Sequence, residues 1–497
     1  MSFVAPQFFL FLAAAFACYF AAPPRLRWCV LLAASYVFYW FVGGLLAMCA
    51  ISFTILTVHA CGLWAGRLRE ARAGRALRRA PLAVCLALNF GLLLFLKFSG
   101  VFLPGLGVLL IPGISFYTFQ AAGYLIDIYK GKAAPWKNPF RTALFVSFFP
   151  QLIQGPISRH SQIADDLFAG RGWDWERARG GLQRVIWGYF MKLVIADHAA
   201  PLVNKLFADY HSYGGAVIVF GMLVYSVQIY ADFAGGINVA LGIGEILGVN
   251  MPENFRQPFF ANSLTDFWRR WHITLTAWLR DYLFYPIALS RPLGRLGKAA
   301  RAAFGNRVGK LLPTSLATFA VYFAMGVWHG SGANLFVFGI LNGLFITAGL
   351  FAEPQLIRLR AKTGIYGDKN GFGRAFAVLR TLALMVFLRY FAGAPSLHAA
   401  LSMLKQTLLH PRIHELWSGA LLNFGLTGAD YAILAAGTAA LLARDVIAER
   451  GADSRALLNA ARPAAQFALL FAALVSITLF GIYSGSALSA GFIYAQY

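Results

Sequence analysis

The chain has 497 residues, of which 59% are hydrophobic and only 13% charged, with a mean hydropathy of +0.63. Soluble domains carry about 25% charged residues, so this composition excludes a water-soluble globule and predicts one polytopic membrane domain over 1–497. The formal charge of +23 sits in short clusters between apolar runs, which is the pattern of cytoplasmic loops and of lipid contact rather than of nucleic-acid binding.

In chain order, Phe3–Phe20 is apolar but lacks a preceding positive charge, with Arg25 and Arg27 following instead. It reads as a retained first span with its N-terminus outside, not as a signal peptide. A spanning helix needs about 20 apolar residues. On that measure further spans are expected near 28–43, 45–64, 81–98, 182–200, 214–231, 311–327, 333–351, 378–392, 430–443 and 465–483. The stretches 101–128 and 141–157 are apolar but broken by Pro and Gly, so they are expected as tilted or re-entrant segments. The total expected is about 10 to 12 spans. Basic loops at 67–79 (Arg67, Arg69, Arg72, Arg75, Arg78, Arg79), 291–310 (Arg291 to Lys310) and 353–374 (Arg358, Arg360, Lys362, Lys369, Arg374) are expected inside, and the C-terminus, Tyr497, outside.

All five cysteines lie in the first 85 residues, without a C-x-x-C pair or a Cys/His metal spacing. They are expected as small apolar packing residues, and no metal site is expected.

The segment 250–290 departs from the pattern. It combines Asp266, Arg269, Arg270, His272, Arg280 and Asp281 with Trp268, Trp271, Trp278 and Tyr282. No lipid-facing span holds so many charges. The tract is therefore either enclosed by protein or a water-filled cavity, or it is an amphipathic helix at the membrane surface. Helical spacing would set Trp268, Trp271, His272 and Trp278 around a polar stripe with Arg269 and Arg280. Both readings put it at a cytoplasmic mouth beside the 291–310 loop.

His329, in GVWHGSGAN, is the one charged or histidine side chain between Thr314 and Phe351. An intramembrane ionisable group is a functional candidate by default; the alternative is a packing histidine bonded across helices. Gly326, Gly330 and Gly332 are expected to leave room for a ligand to approach the ring. His272 is the second candidate, its alternative being a solvated interfacial histidine. Two such residues suit acyl transfer: one takes the proton of an attacking hydroxyl, the other orients donor or acceptor. Arg269, Arg270 and Arg280 suit the phosphates of a CoA-type donor, or equally lipid headgroups. G-x-S-x-G, H-E-x-x-H and Walker A sequences are absent.

These residues resemble a known family, the membrane-bound O-acyltransferases, in the bacterial branch of alginate O-acetylases and D-alanyl transfer proteins. The resemblance rests on IPGISFYTFQAAGYLIDIYKG at 111–131, FFPQLIQGPISR at 148–159, the run from Tyr230 to Phe260, DFWRRWHITLTAWLRDYLFYPI at 266–287, GVWHG at 326–330 and the terminal FIYAQY. It implies an all-α ring of helices with re-entrant segments around a funnel. It also implies catalytic roles for His329 and His272, and a substrate-contacting neighbourhood of Trp268, Arg269, Arg270, Trp271, Arg280, Asp281 and Trp328. It implies an acyl thioester such as acetyl-CoA as co-substrate, with no bound cofactor. A multi-pass location in the bacterial inner membrane follows from it, as does a periplasmic SGNH-type acetyltransferase or a polysaccharide-synthesis complex as partner. Alginate-type acetylases usually carry a PLGGNR-like stretch after the RDY element, where this chain reads PIALSRP at 286–292; the reaction class survives that departure and the acceptor does not. D-alanyl transfer from a carrier protein to a teichoic-acid-like acceptor is the alternative within the family. A transporter or flippase with His329 in a proton relay is the alternative outside it, although no interrupted helix pair repeats in the two halves.

Overall fold

The computed structural model describes residues 2–102, 109, 111–363 and 371–483. Lys369 and the FIYAQY end with Tyr497 lie outside them. Among the described residues the secondary structure is helical, with one isolated bridge between Phe255 and Trp271. Among the described residues eight helices are long and apolar enough to cross a membrane, and Pro6–Ala21 is a shorter apolar one. The protein is an all-α polytopic membrane protein. Its residues group into two compact units.

The first unit holds residues 1–197, 229–253 and 453–497. The expected spans 28–43 and 45–64 are two helical segments of the stretch Arg27–Glu70, parted by a kink at Gly44, where φ is 61°. A positive φ is open to glycine at little steric expense, so the bend falls where a side chain would resist it. This stretch packs on Arg75–Lys97, Ile114–Lys130 and Pro139–Ser147. Ile114–Ile128 is buried at every position. From Ile114 onward the stretch expected as tilted or re-entrant is thus enclosed by protein. The 141–157 stretch is two short helices, Pro139–Ser147 and Phe149–Leu152.

Small residues bring backbones together in this unit. A Cβ on Gly181 would lie 2.5 Å from the Gly242 carbonyl oxygen, and one on Gly188 would lie 2.6 Å from that of Gly235. The Trp175–Tyr189 helix thus crosses the 229–247 part of Gly215–Leu247 at backbone contact, the packing that membrane helices use where no hydrophobic force separates helix from lipid. Beyond Tyr189 the helix widens into a π turn over Phe190–Ala196. There Lys192 is buried between Asp197 (2.9 Å) and Asp232 (2.7 Å), both also buried.

The second unit holds residues 198–228 and 254–452. The expected basic loop at 291–310 is helical instead: Arg291–His329 is one helical stretch folded at Gly305, where φ is 84°. A Cβ on Gly297 would meet the Gly309 carbonyl at 2.9 Å, so the arms on either side of Gly305 lie against each other. Arg and Lys are good helix formers, and the basic run read as a loop because its charge hid that propensity. Ala333–Thr363, Gly371–Gly393 and Gly428–Glu449 complete the long helices of this unit.

Candidate active site

The 264–279 part of the tract buries Leu264, Phe267, Trp268, Trp271, His272, Leu275, Trp278 and Leu279, and it is not laid out as one surface helix. Leu264–Arg270 and Ile273–Leu279 are separate short helices. Between them the chain turns at His272, whose φ of 46° and ψ of 51° are left-handed. The single polar stripe expected from helical spacing is therefore broken at this residue. Left-handed backbone in a non-glycine residue is uncommon, with histidine among the enriched exceptions, and it is held here by its surroundings. The amide N–H of Ile273 donates to the Asn254 carbonyl, that of Arg256 to the Arg270 carbonyl, and Phe255 bridges Trp271. The segment 254–256 thus runs antiparallel along the break and fixes it.

Asn254 also sets the chemistry of the ring. It is fully buried, and its Oδ1 accepts from the Thr274 amide N–H at 3.0 Å and the Thr274 hydroxyl at 2.9 Å. Because a backbone amide only donates, the Asn254 atom facing it is oxygen. His272 Nδ1, 3.2 Å from the same oxygen, must then carry the proton, which leaves Nε2 as the basic nitrogen of the neutral ring. His272 is 2% exposed. Burial, with a smaller contribution from His329, pushes its pKa down to about 3. The residue is neutral at physiological pH, hence a weak base and a good orienting group. A neutral amide such as Asn254 carries no sequence signal of function and was missed; its place eighteen residues before His272 is visible only in the fold.

His329 ends the long apolar helix and is partly exposed. Its ring lies 4.7 Å from Trp328 and 5.9 Å from Phe338, centroid to centroid. Trp328 in turn lies 6.0 Å from His272. Trp268 packs on Phe338 and Tyr322, and its indole N–H donates to buried Asn342 at 3.0 Å. His272, Trp328, His329, Phe338 and Trp268 therefore form one continuous cluster of rings.

The glycines around His329 do not leave the expected space. A Cβ on Gly326 would meet the Leu335 carbonyl at 2.6 Å and Gly339 at 3.2 Å; Gly330 and Gly332 face Leu335 and Asn334. They let Arg291–His329 press on Ala333–Thr363.

The charged candidates divide. Arg270 bonds Asp266 at 3.0 Å and Glu449 at 2.6 Å, and Arg374 shares Glu449; its guanidinium ties segments of the unit together. Arg280 is 57% exposed and bonded at 2.8 Å to Asp281. Arg269 is exposed. Trp271 is buried against Phe255 and Phe267. Among the described residues no group of three or more His, Cys, Asp or Glu side chains is placed to hold a metal.

The neutral state of His272 has a stability consequence. Its proton affinity is lower folded than unfolded, where the pKa is about 6.5. Its contribution is complete above that value and is lost as pH falls below it toward the folded pKa of about 3. The slope approaches about 1.4 kcal/mol per pH unit. Melting in detergent between pH 7.5 and 5 should fall less steeply for His272→Gln than for wild type; parallel curves would mean that the ring is solvated in the folded protein.

Fold and site define a multi-pass helical membrane protein in which a buried neutral histidine and a partly exposed one share an aromatic cluster. The model of the membrane-bound O-acyltransferase family matches residues 135–369. The chain is 34% identical over 356 residues to the protein of Pseudomonas fluorescens named "Probable alginate O-acetylase AlgI", covering 70% of this chain and 66% of that one. To the protein of the same name in Pseudomonas putida it is 32% identical, covering 70% of this chain and 71% of the relative. The teichoic acid D-alanyltransferase of Bacillus subtilis is 26% identical over 71% of this chain and 87% of its own length. The chain belongs to the membrane-bound O-acyltransferase family. It spans about two thirds of the length of the alginate relatives it matches.

Proposed function

We propose that the whole chain, 1–497, works as one catalytic membrane domain that moves an acyl group, acetyl first, from a cytoplasmic thioester to a hydroxyl of an exported or cell-wall polysaccharide. The acyl group reaches the polymer directly or through a periplasmic SGNH-type partner, and acetyl-CoA is the donor. The observation that carries this reading is the pair of histidines in one aromatic cluster, one partly exposed and one buried and neutral with its tautomer set by Asn254. Relatives named for alginate, peptidoglycan and teichoic acid chemistry support the class of acceptor.

In this mechanism His329 takes the hydroxyl proton as oxygen bonds to the thioester carbon. The carbon–sulfur bond then breaks, and the same proton passes to the leaving thiolate. Imidazole does this well near neutral pH. His272, its Nδ1–H fixed on Asn254, offers Nε2 as an acceptor that orients the reacting hydroxyl. Trp268, Trp271 and Trp328 wall the site. Arg269, and Arg280 steadied by Asp281, meet the donor phosphates, while Arg270 serves the framework.

His272→Ala and Asn254→Ala should each lower acyl transfer about tenfold to a hundredfold, the scale of a lost positioning contact. Wild-type rates at normal protein levels would remove His272 from the mechanism. The proposed location is the inner membrane with 67–79 and 291–310 cytoplasmic and both termini outside. Cysteine labelling of whole cells should leave 291–310 unlabelled by an impermeant reagent, and labelling there would reverse the donor side. Transfer of D-alanine from a carrier protein is the second reading, favoured by the long overlap with the Bacillus subtilis enzyme. Discharge of a D-alanyl carrier, with no use of acetyl-CoA, would select it.

A further inference from the structure

Arg389 is a buried cation that meets no anion among the described residues. It lies in the Gly371–Gly393 span, 5% exposed. Its Nε is enclosed without an acceptor, and among the described residues the guanidinium makes no hydrogen bond or ion pair. Its neighbours are aromatic faces, Trp271 at 4.9 Å and Tyr225 at 6.0 Å from the guanidinium carbon. A cation–π contact offsets about 0.5–2 kcal/mol, while burying an unpaired charge costs several. Charged residues inside a membrane span face a partner or a functional cavity.

Arg389 does line a cavity of about 550 Å³, together with Phe267, Met385, Val386, Leu434 and Ala435. That size is within the roughly 300–1,000 Å³ of small-molecule sites. No carboxylate lines it. The hydroxyls of Ser226 and Tyr431 at its wall donate to the carbonyls of Met222 and Leu421. The space is thus apolar with one cation at its edge, and the matching ligand is an amphiphile with an anionic head and a hydrocarbon body.

We infer that this cavity is a binding site for an anionic phospholipid of the surrounding bilayer, its phosphate on the Arg389 guanidinium and part of an acyl chain among Val386, Leu434 and Ala435. A phosphate accepts from a guanidinium in a bidentate, charge-assisted manner, which a zwitterionic lipid's neighbouring ammonium would weaken. Occupancy would also hold Arg389 against Trp271, the residue before His272. The lipid site stands on Arg389 and its cavity alone and does not rest on the acyl-transfer reading.

The test is native mass spectrometry of the full chain, purified in detergent, delipidated and then offered phosphatidylglycerol or phosphatidylcholine of the same chain length. Wild type should retain phosphatidylglycerol preferentially, and Arg389→Lys should keep that preference. Arg389→Leu should weaken retention at least about tenfold, the value of a charge-assisted bond. Ala435→Phe, which fills the cavity and leaves the cation intact, should weaken it too, and it decides the matter if Arg389→Leu does not fold. Unchanged phosphatidylglycerol retention in either folded variant overturns the proposal. So does equal binding of glycerol 1-phosphate, which would mark a free-phosphate site without a chain.

Discussion

His329→Ala and His329→Gln should reduce acyl transfer to background while leaving insertion and folding intact. The ring sits in a 38-residue stretch, Thr314 to Phe351, with no other charged or histidine side chain, so nothing in that stretch substitutes for it as a base. Removing a general base costs about a hundredfold to ten-thousandfold. Its packing neighbours, Trp328 and Phe338, are themselves held by other contacts, and the helix crossing beside it is made by Gly326 and Gly339 rather than by the ring. Both variants should therefore elute as monodisperse protein at normal yield. Glutamine keeps a hydrogen-bonding side chain but no base, so a packing role would be rescued by His329→Gln and a catalytic role would not. A rate above about a tenth of wild type in either variant, short of the expected loss, would make His329 a packing residue.

Lys192→Met should have the largest effect on folding. Lys192 bridges Asp197 and Asp232, and all three are buried. Methionine fits the volume of the stem but leaves two carboxylates facing each other away from water. Breaking a buried ion pair by removing one partner costs about 3–5 kcal/mol, which is a large part of the roughly 5–15 kcal/mol that holds a native domain. The expected result is a collapse of monodisperse yield and a marked fall in thermal midpoint. Replacing the whole triad, Lys192→Met with Asp197→Leu and Asp232→Leu, should recover much of it, since a well-packed apolar trio often matches a buried ionic one. A single Lys192→Met variant as stable as wild type would show that the triad is hydrated.

Charge is rare in this chain, so His329, an isolated imidazole in an apolar run, and His272, in a tract too charged for a lipid-facing span, both stood out in the sequence. The membrane class was legible for the same reason. What surrounds the histidines was not. Whether 266–287 formed one helix or two depended on a left-handed residue at 272, and the modest left-handed enrichment of histidine is too weak to announce it; the antiparallel pairing with 254–256 decides it. Asn254 escaped notice because an amide is polar without being rare. The Lys192 triad escaped notice because Asp232 is forty residues from Lys192, and Lys192 and Asp197 each look like a stray charge in the expected 182–200 span. The glycines near His329 read as open space because sequence shows a missing side chain but not what fills its place. Their space belongs to the neighbouring helix.

The most direct test of the central claim is mass spectrometry of the extracellular polymer from three strains carrying wild-type protein, no protein, and His329→Gln at matched membrane levels. The acyltransferase account predicts O-acyl esters on the polymer in the first strain alone, with the variant indistinguishable from the deletion. Equal esterification in the variant and wild type would contradict a catalytic His329. Equal esterification in all three would contradict acyl transfer by this chain.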